Sequence, residues 1–331
     1  MTTPAPLLEI RDLTVRYRRS HRTSLLTALL DARLTVAAGE TVALVGESGS
    51  GKSTLGNAIL GLVPAASGAM TFDGEDITHA TQRRRRALTK QIQAVFQDPY
   101  GSLNPVRTIG STLAEPLLAH EKLSRAAVVA RVGAALDRVG LSSEAAGMYP
   151  GQFSGGQRQR IAIARALMPS PRLIICDEPL SALDLSVQAQ VLNLLKAIQR
   201  DLGVSYLFIT HDLSVIPHIA HRVVVLYRGR VVETGPATQV CTRPGHPYTQ
   251  ALLSAAPVPD PVEQRARQRT RKPAGAGLPA GGCVFAPRCP HAAAACIQGE
   301  PTVFTTSDGG SVACSRYPEL TSHLTVPLGD R

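Results

Sequence analysis

The stretch from Val42 to Leu55, VALVGESGSGKSTL, constrains this chain more than any other. Val42–Val45 is an apolar run with β-branched members, long enough for one short buried strand. Gly46-Glu47-Ser48-Gly49-Ser50-Gly51-Lys52-Ser53 then satisfies G-x-x-x-x-G-K-[ST], and Thr54-Leu55 opens a helix. Such a loop turns its backbone N–H groups inward toward a phosphate, and the helix N-terminus adds positive potential. Lys52 is placed to reach the β/γ-phosphates and the Ser53 hydroxyl to ligate Mg²⁺. The stretch reads as a phosphate-binding P-loop.

Composition bounds what such a loop belongs to. At 331 residues and 44% hydrophobic, the chain can bury a sizeable core, and its length suggests about two domains. No uncharged apolar run approaches the ~18 residues needed to cross a bilayer. The N-terminus, MTTPAPLLEIRDL, lacks the basic-then-apolar order of a secretion signal, so a cytosolic protein is expected. A formal net charge of +10 allows nucleic acid, an anionic leaflet or a nucleotide as partner. Arg83–Arg86 and the Arg265–Lys272 run read most simply as solvated surface.

In chain order, Leu8–Tyr17 mixes apolar and polar residues at roughly period two and is expected as an edge strand. Tyr17, just beyond it, is placed to stack on a base or to pack half-buried. Ala69–Gly74 is a strand and turn, followed by a helix carrying the arginines. Ile92–Phe96 is an apolar strand that leaves Gln97 at its tip, free to reach a metal or a water. From Ile109 to Gly147 the apolar residues recur at helical spacing without a sustained heptad, which predicts a compact helical subdomain.

Ser154-Gly155-Gly156-Gln157 opens a further helix, as a second phosphate-contacting N-terminus or as a plain cap and turn. Leu173–Cys176 is a continuous apolar strand that delivers Asp177 and Glu178 at its end. Paired carboxylates after a phosphate loop suit a Mg²⁺ contact, Asp177, and a water-polarising base, Glu178. Cys176 reads as a small core residue. Ser181–Asp184 makes a tight turn into the helix Ser186–Arg200, and the strand Val204–Ile209 ends near His211, a candidate γ-phosphate sensor.

Together Tyr17, Gly46–Thr54, Gln97, Ser154–Gln157, Asp177-Glu178, Ser181–Asp184 and His211 resemble the complete nucleotide-binding cassette of an ABC transporter ATPase, over residues 7 to 255. FQDPYGSLNP (Phe96–Pro105), ICDEPLSALDLSVQAQV (Ile175–Val191) and HPYTQALLSAAPVPDP (His246–Pro261) resemble the oligopeptide/dipeptide permease ATP-binding subunits. The resemblance implies adenine stacking for Tyr17, ATP and Mg²⁺ binding by the P-loop, and nucleophile positioning by Gln97, Glu178 and His211. It adds Gln97 to Ser53 and Asp177 as a Mg²⁺ contact, and Asp184 to the nucleotide site. Ser154–Gln157 would act on the nucleotide of a second, non-identical ATPase subunit. Two membrane permease subunits and, indirectly, an extracytoplasmic solute-binding protein are implied, with the chain peripheral on the cytoplasmic face and no nucleic acid involved. Two departures, Phe153 and Leu180, touch no phosphate in the family's pattern.

The fold class that follows is a P-loop NTPase (RecA-like) ABC cassette over residues 1–257, with an N-terminal antiparallel β-region and an inserted helical subdomain at about 98–165. Residues 258–282 read as a linker, and the tail to 331 carries Cys283, Cys289, Cys296 and Cys314, four of the chain's six cysteines within thirty-two residues. In a reducing compartment that clustering suggests metal ligation more than disulfides. The spacing matches neither the C-x₂-C pairs of structural zinc nor ferredoxin runs, so a [4Fe–4S] cluster, Zn²⁺ and plain thiols all stand. From another functional class, a soluble ABC ATPase acting on nucleic acid or ribosomes would use the arginine runs as contacts. A P-loop GTPase is a weaker third reading, since no N-K-x-D motif occurs.

Overall fold

The structure, a computed structural model, describes residues 5–18, 25–98, 101–255 and 281–320. The Arg265–Lys272 run and nearly all of the expected linker lie outside the described residues.

Two sheets organise the chain. The smaller is antiparallel, built from β1 (Leu8–Arg18), β2 (Leu25–Val36), β4 (Ser67–Phe72) and β5 (Glu75–Asp76) in the order β2-β1-β4-β5. β1, expected at an edge, is an interior strand, hydrogen-bonded to β2 on one side and β4 on the other. Its Leu8, Ile10, Leu13 and Val15 are buried in the core shared with α1 (Lys52–Leu60) and the larger sheet. Tyr17 lies within β1, opposite Leu26, and not beyond it.

The larger sheet has eight strands in the order β11-β12-β10-β9-β3-β8-β7-β6. β3 (Thr41–Val45), β6 (Ile92–Val95), β7 (Leu173–Asp177), β8 (Ser205–Thr210) and β9 (Arg222–Tyr227) run parallel. β10 (Arg230–Pro236), β11 (Val303–Thr305) and β12 (Ser311–Ala313) continue it antiparallel. The central strands are buried on both faces, as their near-continuous apolar sequences require.

Alternation along these strands sorts side chains between layers. Leu44, Ile175, Ile209 and Val224 pack with the antiparallel sheet and α1 (Lys52–Leu60). Cys176, Tyr206 and Phe208 face the opposite layer, so Cys176 is the core residue expected of it. That layer joins α3 (Ile109–Leu118), α4 (Arg125–Arg138), α5 (Gly155–Leu167) and α6 (Leu185–Leu202) through Leu113, Leu136, Ile161, Ile163 and Leu195. Ala43, Val45, Val223, Val225 and Tyr227 form a third cluster with Tyr248 of α9 (Pro247–Ala255) and Phe285 of the tail.

The C-terminal residues therefore close onto the cassette. β12 pairs with β10 through Glu233↔Val312 and Thr234↔Ser311, and Phe285 meets Tyr227 and Tyr248 at 5.3 and 5.4 Å between ring centroids. Among the basic run, Arg85 departs from the expected solvated surface. From α2 (Gln82–Leu88) it donates to Ile59 O at 3.0 Å and Ile77 O at 2.6 Å, satisfying a carbonyl near the C-terminus of α1. No helix among the described residues is long and apolar enough to cross a membrane.

Candidate functional site

The tips of β3, β6, β7 and β8 converge because parallel neighbours share one direction, so every polar residue just past a C-terminal strand end emerges on the same edge. Between β3 and α1, Gly46 and Gly51 take φ of 158° and 108°. A β-carbon on Gly46 would lie 2.1 Å from Leu226 O and 2.7 Å from Ser50 Oγ, so any side chain would push the loop off the sheet. Gly49 also lies at positive φ, with open space beside it, and Ser48 is exposed at the loop's outer turn.

Lys52 is buried, with its ammonium donating to Gly46 O at 2.8 Å and Glu47 O at 3.0 Å. Burial lowers its pKa, and the charges of Glu178, Asp177 and Glu47 oppose that shift. Ser53 donates to Asp177 Oδ1 at 3.1 Å, which joins the two expected Mg²⁺ contacts directly. Burial raises the Asp177 pKa and the Ser53 hydrogen bond pulls it back. A carboxylate and a hydroxyl at this separation are the hard oxygen donors that Mg²⁺ takes.

Glu178 is the hub. Gln97 Nε2 donates to one of its carboxylate oxygens at 3.1 Å, and His211 Nδ1 lies 3.1 Å from the other. Its backbone sits in the left-handed region at φ 47°, rare for a residue with a side chain. Glu178 N–H donates to Ile209 O at 3.0 Å, while Ser181 N–H and Oγ donate to Glu178 O. The turn is thus held on both sides, with the carboxylate between Gln97 and His211. Across the P-loop, the Tyr17 hydroxyl donates to Thr54 Oγ1 at 3.3 Å, so its half-buried ring stands beside the start of α1.

The other expected site residues lie elsewhere. Ser154 caps α5 in a reciprocal box: Gln157 N–H donates to Ser154 Oγ at 3.3 Å, and Ser154 N–H to Gln157 Oε1 at 2.9 Å. Gly156 cannot carry a side chain there, because a β-carbon would meet Val187 Cγ1 at 2.4 Å. Gly155 completes that first turn, and Asp184 is exposed at the N-cap of α6. Among the described residues, no hydrogen bond or ion pair links Ser154–Gln157 or Asp184 to Gly46–Thr54.

The four tail cysteines come together. Cys283, Cys289, Cys296 and Cys314 line one pocket with His246, His291, Phe285 and Arg316. All are free thiols, and Cys283 N–H donates to Cys296 O at 2.8 Å. Burial raises the Cys283 and Cys314 thiols and pushes Cys289 up to about 11. Among the described residues no three His, Cys, Asp or Glu side chains converge tightly enough for a single metal ion.

Two residues with no sequence signal of a role also touch the P-loop. Tyr248 accepts the Glu47 N–H at 2.8 Å, and Arg288 pairs with the Glu47 carboxylate at 2.8 and 2.9 Å. HPYT marks Tyr248 only as part of a resemblance, and Arg288 stands between cysteines, where nothing local points to a partner 241 positions away.

Comparison with known proteins places the chain in a family. Residues 29–181 match the family described as ABC transporter, and residues 232–296 the oligopeptide/dipeptide transporter C-terminal region. The chain is 46% identical to the oligopeptide transport ATP-binding protein OppF of Salmonella typhimurium, over 95% of this chain and 97% of that protein. It is 44% identical to the probable peptide ABC transporter ATP-binding protein y4tS of Sinorhizobium fredii, over 96% and 92%. Among solved structures, the dimeric ATP-binding cassette MJ0796 bound to ADP and Pi is similar at TM-score 0.63 and 29% identity, covering 70% of this chain and 98% of that one. The cbiO1 subunit from Clostridium perfringens is similar at the same TM-score and identity, covering 71% and 90%.

Proposed function

Because the chain belongs to the ATP-binding subunits of ABC transporters, in the oligopeptide/dipeptide branch, we propose that it hydrolyses ATP to drive import of peptides or a related solute through membrane permease subunits. The ABC cassette binds ATP with Mg²⁺ and hydrolyses it. The observation that carries the residue-level reading is Glu178 held between Gln97 and His211, one residue from the Asp177–Ser53 pair.

In this reading Lys52 exchanges its two loop carbonyls for phosphate oxygens, and Tyr17 stacks on the adenine. Ser53, Asp177 and Gln97 would hold Mg²⁺, which would supply positive charge against the phosphates. Glu178 takes a proton from the attacking water, and Gln97 and His211 keep its carboxylate aimed. Catalysis is then chiefly positioning and electrostatics. Ser154–Gln157 and Asp184 complete a nucleotide site on a second, non-identical subunit, a reading supported by their lack of contact with their own P-loop. Two permease subunits would hold the chain at the cytoplasmic face, fed by an extracytoplasmic solute-binding protein. The cassette spans residues 1–257 and the extension 258–331. The rival nucleic-acid reading loses support, because Arg85 is engaged with backbone carbonyls and both relatives named above are transport subunits.

Glu178→Gln tests the mechanism: ATP binding should persist while turnover falls roughly 10²–10⁴-fold, the scale of a lost general base. Near-normal turnover would remove Glu178 from that role. Co-purification from membranes, with the bound subunits identified, tests the assembly.

We also infer that the tail cysteines hold a [4Fe–4S] cluster, with zinc as runner-up. The reading is supported by four soft donors lining one pocket. A cluster would tie together segments far apart in sequence, a structural role. Protein purified without oxygen should be brown, absorb near ~400 nm and carry about four irons per chain. Colourless anaerobic protein with stoichiometric zinc would favour the runner-up, and protein with neither would leave ordinary thiols.

A further inference from the structure

Glu47 is the only acidic residue in Gly46–Thr54, a loop built to hold a polyanion, and it is held by Lys52 of that loop and by two distant parts of the chain. Its N–H donates to the Tyr248 hydroxyl at 2.8 Å. Its carbonyl accepts from Lys52 at 3.0 Å. Its carboxylate receives a two-pronged Arg288 fork, Nη1 to Oε2 at 2.8 Å and Nη2 to Oε1 at 2.9 Å. Both prongs lie within charge-assisted hydrogen-bond range, the geometry in which guanidinium and carboxylate match best.

Arg288 is well placed to hold that pose. Its side chain is only 15% exposed, and its guanidinium stands 5.8 and 5.7 Å from the ring centres of Tyr227 and Phe285. Tyr227, Tyr248 and Phe285 pack against one another, so the fork rises from a closed aromatic floor. It also ends the short turn Ala286–Arg288, one residue before Cys289. The tail is thereby joined to the second residue of the phosphate loop.

The charge balance gives this contact a consequence for ATP. Glu47 is among the carboxylates whose charge acts on Lys52. Released, it would repel bound phosphates and compete with them for that ammonium. Paired with Arg288 it is neutralised and drawn toward the tail, while Tyr248 fixes the adjoining N–H. We propose that Arg288, with Tyr248, is a positioning residue for ATP binding, and that the C-terminal module braces and neutralises the phosphate loop through Glu47. The proposal rests on the P-loop as the ATP site and is independent of what the cysteines hold.

The test is MgATP affinity of the full-length chain by equilibrium binding, with kcat and KM in the assembled transporter. Arg288→Ala should weaken MgATP binding about tenfold, the scale of one charge-assisted pair, raising KM with kcat little changed. Arg288→Lys, which keeps the charge and loses the fork, should fall between. In a Glu47→Gln background the further cost of Arg288→Ala should shrink to about twofold or less, because its partner charge is gone. Equal cost in both backgrounds would overturn the proposal, since Arg288 would then act through general stability. Unchanged affinity in folded Arg288→Ala would overturn it as well. Should Arg288→Ala not fold, Arg288→Lys carries the same two-background comparison with the same deciding outcomes. Absence of MgATP binding in the wild-type chain would sink the ATP-site reading and this proposal together, whereas binding that only Lys52→Ala abolishes would sink the brace alone.

Discussion

The nucleotide edge of the large sheet and the C-terminal module that extends the sheet through β12 are built in opposite ways. At the edge, each functional residue lies within a few positions of the strand that delivers it: Lys52 after β3, Gln97 after β6, Glu178 after β7 and His211 after β8. In the module, hardly anything useful is local. Its strands β11 and β12 are three residues each, and its anchors are Phe285 on Tyr227 and Tyr248, and Arg288 on Glu47. The contrast teaches that parallel strand direction brings the proposed catalytic set to one edge, whereas the module is anchored by contacts with distant parts of the cassette.

If that contrast is right, damage to the module's aromatic anchors, away from the Arg288 fork, should appear first as lost stability. Phe285→Ala removes a fully buried ring and should cost about 3–5 kcal/mol in a denaturant titration. Turnover per folded, ATP-saturated chain should stay near wild type, because Phe285 does not reach Glu178, Gln97 or His211. A fall in that kcat as large as the one in Glu178→Gln would break the separation.

Damage at the edge should do the reverse. Lys52→Ala removes a buried ammonium from the phosphate loop and should weaken MgATP binding roughly 10²-fold, as for two charge-assisted hydrogen bonds. Its thermal midpoint without nucleotide should hold or rise, since burial already works against the charged form. A collapse of the fold would show that Lys52 is structural first.

A smaller effect sharpens the comparison from within the cassette. Gly46→Ala places a methyl against Leu226 O and Ser50 Oγ, and overpacking of this kind costs about 1–3 kcal/mol. Because relief of the clash with Leu226 O must move the phosphate loop that carries Gly46, ATP affinity should fall with stability, measured by calorimetry on one sample. Stability loss with intact affinity would mean the loop tolerates being lifted off the sheet.

The smallest effect is a pH dependence where cassette and module meet. Glu233 of β10 accepts from Gly245 N–H at 2.6 Å and His246 N–H at 3.0 Å, and burial pushes its pKa from 4.5 up to about 7. With the folded pKa raised, its contribution is full below about pH 4.5 and is lost as pH rises through 7. His246 acts oppositely: burial lowers it to about 3, so stability is lost as pH falls below 6.5. Thermal midpoints of wild type relative to Glu233→Gln should therefore decline by a few degrees between about pH 4.5 and 7. A flat difference would mean Glu233 is charged throughout that range.

Much of the edge was legible because its signals are local. Apolar runs of four to six residues read as buried strands, the phosphate loop needs its glycines in order, and Ser154 with Gln157 is a cap that three positions of sequence contain. Misreadings arose where a neighbour comes from elsewhere in the chain. β1 looked like an edge strand because β4, which covers its second side, lies some fifty residues later. Arg85 looked solvated because the carbonyls it satisfies belong to α1 and to the Ile77 turn. The tail cysteines were visible as a cluster, but that all four face one pocket is a property of the folded module.

By itself the sequence determined the strand and helix succession, the phosphate loop, the acidic pair at the tip of β7 and hence the chemistry of the nucleotide edge. Those features depend on residue type and short spacing, which backbone periodicity converts directly into geometry. Only the tertiary structure decided which strands lie inside each sheet, that the tail lengthens the large one, and that Arg288 neutralises Glu47. Those outcomes depend on which distant surfaces exclude water together and which buried charges then need partners, and no short window of sequence contains both members of such a pair.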